Sequence, residues 1–173
     1  GLPWLQDLHT NNELVKENPV LQYLITNDLQ YDARSAFTLS LNHRDTFTGI
    51  TDRDRSLTTR RFSDLWTDLE STDLNIEDRM KALGKEFRTP GHIPVCRESP
   101  GGLAKRQGHT ELAVAVARMA GLPPIVIGAE MLQPNGDAAL SLEEARKYGE
   151  KHNIPFLSGK EILEVSKLQE RGI

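Results

Sequence analysis

Short strand-like runs alternating with amphipathic helices predict an α/β or α+β sandwich. Three observations carry that expectation. Ala36–Asn42 alternates apolar and polar residues, the stretches after Thr51 and after His109 repeat apolar residues at helical spacing, and Ile125–Ala129 is a short apolar run following Pro123-Pro124. The chain has 173 residues, enough for one domain with a substantial core.

Taken in order, Asn12–Leu24 reads as helical through Leu14, Val20, Leu21 and Leu24, with Pro19 resetting it partway, and Thr26–Asp32 reads as a loop. The half-buried strand Ala36–Asn42 leads to a second loop, Phe47–Ile50. Thr51 or Asp52 then caps a helix to about Leu69 that buries Leu57, Phe62, Leu65, Trp66 and Leu69. Ser71–Leu83 is polar and reads as an excursion with one more helical turn. Pro90-Gly91 predicts a turn before a short strand, Ile93–Cys96, and Pro100-Gly101-Gly102 predicts another turn. The next helix buries Leu112, Ala113, Val116, Ala117 and Ala120, and Ile125–Ala129 forms a buried strand ending at Glu130. Pro134–Asp137 turns the chain again. Ser141 with Glu144 and Ser158 with Glu161 predict two capping boxes, with a brief strand at Phe156-Leu157 between their helices.

Composition excludes several function classes. Hydrophobic residues make up 38% and charged residues 27%, a globular rather than a disordered balance. The net charge of -4 argues against a broad nucleic-acid or anionic-membrane surface, and no apolar run is long enough to cross a bilayer. The single cysteine, Cys96, has no internal partner and is expected buried and inert in a reducing compartment. The expectation is a cytoplasmic protein.

Chemistry concentrates in Arg106-Gln107-Gly108-His109-Thr110-Glu111, at a loop-to-helix junction where unpaired backbone N–H groups favour anions. Arg106 adds a fork of donors, Thr110 a hydroxyl, and His109 an imidazole that can ligate a metal or move a proton. A histidine and an arginine at a helix start also occur without any chemistry. Glu130, at the end of a strand whose preceding helix begins at His109, is either a crevice carboxylate or a surface one. His92 is either a functional or a solvated turn histidine. Phe47–Thr51, with the Thr48 hydroxyl before a helix, offers a second anion site but lacks the lysine of a P-loop. Arg53, Arg55, Arg60 and Arg61, mixed with Asp52 and Asp54, read as a solvated helix start, and His9, His43 and His152 lack ligand-like spacing.

Several blocks in order resemble the 3,4-dihydroxy-2-butanone 4-phosphate synthase family, with wording closest to archaeal members. They are Asn42-His43-Arg44, Phe47–Arg55, Gly84–His92, Arg106–Glu111, Ala120-Gly121-Leu122, Glu130, Asn135-Gly136 and Glu150–Asn153, spread from Leu2 to about Leu163. The resemblance implies an α+β fold, a layered sandwich of mixed β-sheet and helices, in one domain. It implies a lyase of riboflavin biosynthesis that converts D-ribulose 5-phosphate to L-3,4-dihydroxy-2-butanone 4-phosphate and formate. It further implies a magnesium or manganese ion and a homodimer with active sites at the interface. Carried over by position, His109 is similar to the metal-ligating histidine. Arg106 and Thr110, with the backbone of Gln107, Gly108 and His109, are similar to the phosphate contacts. Glu130 and His92 are similar to the essential carboxylate and histidine. The family's flexible acidic loop, which supplies a second metal ligand, has no counterpart in the sequence, which opens Gly1-Leu2-Pro3-Trp4. These 173 residues alone are therefore expected to hold metal poorly and to be catalytically incompetent. The rival reading is a non-catalytic family member that binds a sugar phosphate or acts as a partner subunit.

Overall fold

The structure, a computed structural model, describes residues 36–170, with side chains through Lys167, and three upstream positions, Glu17, Val20 and Tyr23. Apart from those three positions, the segments expected as the Asn12–Leu24 helix and the Thr26–Asp32 loop lie outside the described residues. The fold is α+β, as expected: among the described residues, two antiparallel strands and five helices, arranged in two compact units, Gly1–Pro100 and Gly101–Ile173.

In the first unit, β1 (Phe37–His43) pairs antiparallel with β2 (Phe87–Cys96). The register runs Phe37↔Cys96, Ser40↔Pro94 and Leu41↔Ile93, then jumps to Asn42↔Arg88 and His43↔Phe87. Thr89, Pro90, Gly91 and His92 are therefore extra residues on β2, an enlarged bulge rather than the expected turn, and the strand starts at Phe87 instead of Ile93. Proline, which has no N–H for a ladder, is tolerated at such a bulge, and the Thr89–Pro90 peptide is cis. Gly91 crosses the backbone of Leu41 and Asn42 so closely that a Cβ would overlap it. Its N–H donates to Ser40 Oγ at 3.2 Å.

The helix α1 (Asp52–Glu70) opens at Thr51, whose hydroxyl accepts the Asp54 N–H. Leu65 from α1 joins Leu41 and Phe87 in a buried cluster, with Phe62, Leu69, Ala82, Leu83 and Val95 packed against it. The Phe62 ring meets Phe87 edge-on at 5.7 Å. Trp66, expected in that face, is exposed instead, because buried Leu65 with half-buried Phe62 and Leu69 leaves it beside the stripe. The polar stretch beyond Ser71 is more helical than expected. Asn75 caps α2 (Ile76–Glu86), three turns supported by a 2.8 Å Lys81–Glu77 pair on its solvent face. Cys96, expected to be buried, is exposed at the end of β2.

In the second unit, a 3₁₀ turn (Gly102–Ala104) precedes α3 (His109–Met119), α4 (Leu142–His152) and α5 (Gly159–Glu170). Both capping boxes are present. Ser141 and Glu144 exchange side-chain and backbone bonds at the start of α4. At the start of α5 the Ser158 N–H donates to Glu161 Oε2 at 2.7 Å and the Glu161 N–H to Ser158 Oγ at 3.3 Å. The hydroxyl and backbone donors of each serine hold the Glu144 and Glu161 carboxyls below the usual glutamate range.

The expected strand Ile125–Ala129 does not form. The segment has no regular secondary structure, and Val126 and Ile127 are exposed. A strand needs a ladder partner and apolar cover, and among the described residues none pairs with it. Among the described residues the pairing nearby is local: an isolated antiparallel bridge, Leu132↔Ala139, closes the expected turn over Pro134–Asp137. Phe156-Leu157 likewise forms no strand, and Phe156 instead lies under the Arg146 guanidinium, 4.6 Å from its centroid.

Candidate active site

The Arg106–Glu111 stretch is built from backbone upward. The N–H groups of Lys105 and Arg106 both donate to the Gly102 carbonyl, at 2.9 and 3.0 Å, which curls the chain back before α3. Gly108 is the N-cap of α3 in extended conformation, and it contributes no side-chain cap. The caps Thr51, Asn75 and Ser141 close α1, α2 and α4 with side-chain bonds, so α3 differs in presenting its first turn without one.

Glu111, in that first turn, is 1% exposed. A buried carboxylate requires a partner, and Arg106 supplies it: Nη1 lies 2.6 Å from Glu111 Oε2. The guanidinium reaches this position by lying over Gly108, where a Cβ would overlap Nη1. Glycine at 108 and glutamate at 111 thus fix the direction of Arg106. Arg106 is expected at the site from sequence, whereas Glu111 as its anchor is not; its signal is a carboxylate in the first turn of an otherwise apolar helix face.

That face differs in phase from the expected one. Glu111, Val114 and Ala117 are buried, Leu112, Ala113 and Val116 are half-buried, and Ala120 is exposed. The shift turns Glu111 inward and leaves Gln107 and His109 exposed, with Thr110 half-buried beside them. Glu130 is exposed in the irregular segment after Ala129. Among the described residues no three His, Cys, Asp or Glu side chains gather where an ion could be held. Magnesium favours oxygen ligands, so the exposed imidazole of His109 does not by itself fit a metal site.

The first unit carries a separate cluster around β1 and the loop before α1. The Asp54 carboxylate accepts the Gly49 N–H at 2.8 Å, the Thr48 N–H at 3.1 Å and the Thr48 hydroxyl at 3.3 Å. These donors, the Gly49 N–H first, hold its carboxyl below the ordinary value of 3.8 against the opposing effect of burial. The second anion site expected here is thereby filled from within, because Asp54 occupies the loop N–H groups and the Thr48 hydroxyl proton. Asp54, read from sequence as part of a solvated helix start, is buried. Arg61, from the same basic stretch, pairs with Glu86 at 2.7 Å, which raises the Arg61 pKa.

A lowered carboxyl pKa gives a pH dependence with a definite sign. The Asp54 contribution is complete above its unfolded value near 3.8 and is lost as pH falls through the lower folded value. Between about pH 5 and pH 2, the unsubstituted protein should lose more stability than Asp54→Asn, as read by urea denaturation. Parallel losses in the two proteins would remove Asp54 as the loop's staple.

His92, on the β2 bulge, is exposed, and its backbone N–H donates to Asn42 Oδ1 at 2.8 Å. Asn42 is 4% exposed and also faces the His92 ring, a role the sequence reading did not assign.

Comparison with known proteins places this arrangement. Residues 9–165 match the family model for 3,4-dihydroxy-2-butanone 4-phosphate synthase. The chain is 38% identical over 164 residues to the 3,4-dihydroxy-2-butanone 4-phosphate synthase of Methanothermobacter thermautotrophicus, covering 95% of this chain and 67% of the relative. It is 42% identical over 165 residues to that of Archaeoglobus fulgidus, covering 95% and 66%. A more distant match is the riboflavin biosynthesis protein RibBA of Bacillus subtilis, 31% identical over 130 residues, covering 75% and 29%. The chain spans about two thirds of the length of the archaeal relatives it matches. Among the described residues, no helix is long and apolar enough to cross a membrane. The chain belongs to the 3,4-dihydroxy-2-butanone 4-phosphate synthase family.

Proposed function

We propose that this protein acts in riboflavin biosynthesis as a lyase, converting D-ribulose 5-phosphate to L-3,4-dihydroxy-2-butanone 4-phosphate and formate. The observation that carries the proposal is the Arg106 guanidinium, held by buried Glu111 at the start of a helix whose N-cap is glycine. The first-turn N–H groups of α3, the Arg106 guanidinium and the Thr110 hydroxyl hold the substrate phosphate. Glu130 and His92 carry the proton transfers of enolisation, skeletal shift and formate loss. His109 supplies one ligand to magnesium or manganese, with the other ligands drawn from outside the described residues; the active assembly is a homodimer with its sites at the interface. The non-catalytic alternative shares the phosphate site and differs in releasing no formate.

The test combines binding and turnover. Arg106→Lys keeps a cation for Glu111 but loses the fork. A charged hydrogen bond is worth about 1.5–3 kcal/mol, so inhibition by inorganic phosphate should weaken roughly ten- to hundredfold. In a form extended upstream by the family's acidic loop, His109→Ala should lose formate release and, independently, manganese binding followed by water-proton relaxation. Unchanged phosphate inhibition in Arg106→Lys removes the phosphate assignment, and unchanged manganese binding in His109→Ala removes the metal assignment.

A further inference from the structure

We propose that Asn42 is a positioning residue that fixes the His92 ring in one tautomer, with Nδ1 bare and the hydrogen on Nε2. The catalytic consequence rests on the proton-transfer role proposed for His92; the tautomer itself does not.

The His92 backbone N–H can only donate, and it meets the Asn42 side chain at 2.8 Å, so the atom there is the amide oxygen. That pins the amide: its nitrogen must be the group facing the imidazole, 3.1 Å from His92 Nδ1. An amide nitrogen has hydrogens to give and no lone pair to offer. The ring atom opposite it must therefore accept, and in a neutral imidazole the single ring hydrogen then sits on Nε2.

The amide is held firmly enough to impose this choice. Asn42 is buried, its backbone pairs in register with Arg88, and the Gly49 backbone lies against its side chain. Gly49 has φ +82 and no Cβ, and a side chain there would overlap the Asn42 amide. The Gly49 N–H is tied in turn to Asp54 at 2.8 Å. Asn42 therefore connects the Thr48–Gly49 loop to the histidine on the β2 bulge, and the bulge exists in part because the amide takes the His92 N–H. A proton-transfer group works best when its tautomer and ring plane are set before substrate arrives.

The test is the tautomer, read by long-range proton–nitrogen NMR correlation on the ¹⁵N-labelled protein at about pH 8. His92→Gln identifies the His92 signals. The unsubstituted protein should show a bare Nδ1 and a protonated Nε2. A protonated Nδ1, or a mixture of tautomers, overturns the proposal. Asn42→Asp keeps one oxygen for the His92 N–H but turns an acceptor toward Nδ1, so the ring hydrogen should move to Nδ1. No movement in that variant also overturns the proposal. With the hydrogen misplaced, kcat for formate release should fall about a hundredfold or more with KM little changed. A switched tautomer with unaltered kcat supports the positioning by Asn42 and overturns the proton-transfer role of His92 instead. Because the first readout uses the unsubstituted protein, a variant that fails to fold leaves the proposal open to refutation.

Discussion

Replacing Arg106 with alanine is expected to cost this protein stability as well as phosphate binding. The Glu111 carboxylate is fully buried, while the Arg106 side chain keeps 31% of its exposure. Removing the cation takes a charged partner from a buried carboxylate, and breaking a buried pair costs about 3–5 kcal/mol, with the low end expected because solvent reaches the arginine side. Glu111→Ala in the Arg106→Ala background removes that carboxylate. The double variant should therefore be more stable than Arg106→Ala alone, giving a coupling of roughly 1 kcal/mol or more in a denaturation cycle. Phosphate binding should stay lost in the double variant. Additive effects would mean that Arg106 and Glu111 act independently, and the guanidinium would then need another account of its direction.

Gly91→Ala is the second change with a large expected effect. The new methyl group would overlap the backbone of Leu41 and Asn42, which cannot rotate aside as a side chain can. The strands must part at the bulge, and the bonds from the Gly91 N–H to Ser40 and from the His92 N–H to Asn42 go with them. A destabilisation of about 3 kcal/mol or more is expected, the upper range for overpacking. Gly84→Ala serves as the control, since nothing lies within 4 Å of its added Cβ. Within α2 that substitution should stabilise by about 0.5–1 kcal/mol through helix propensity. Equal effects in the two variants would refute the close approach at Gly91.

What the sequence disclosed and what it hid divide by range of interaction. The caps at Thr51, Ser141 and Ser158 were legible because a capping side chain and the N–H that donates to it lie three residues apart. β1 was legible from its own alternation. The β2 bulge was not, because Pro90-Gly91 reads as a turn until Ser40 and Asn42 arrive from the facing strand to take its N–H groups. Ile125–Ala129 misled in the opposite direction: an apolar run states that burial is wanted but not what supplies it, and no described strand pairs with it. α2 was underestimated because its apolar stripe is thin and its support comes from Asn75 and charge pairs.

At the candidate site the residue types were legible and their relations were not. Arg106, Gly108, His109 and Thr110 stood together in the sequence, but the inward turn of Glu111 depends on the phase of α3. Asp54 looked solvated among charged neighbours, and its burial depends on the loop folding back so that Thr48 and Gly49 donate to it. Asn42 carried no signal as a partner of His92, because the two are 50 residues apart and meet through the bulge.

The most direct test of the central proposal is carbon-13 NMR of the protein's reaction with uniformly labelled ribulose 5-phosphate and magnesium. The proposed reaction predicts formate and a four-carbon ketose phosphate in equal amounts from a form extended upstream by the family's acidic loop, and not from His109→Ala in that form; the 173 residues alone should release little formate. Tight phosphate-competitive binding of the sugar with no formate would contradict it, and would make this chain a sugar-phosphate-binding member of its family.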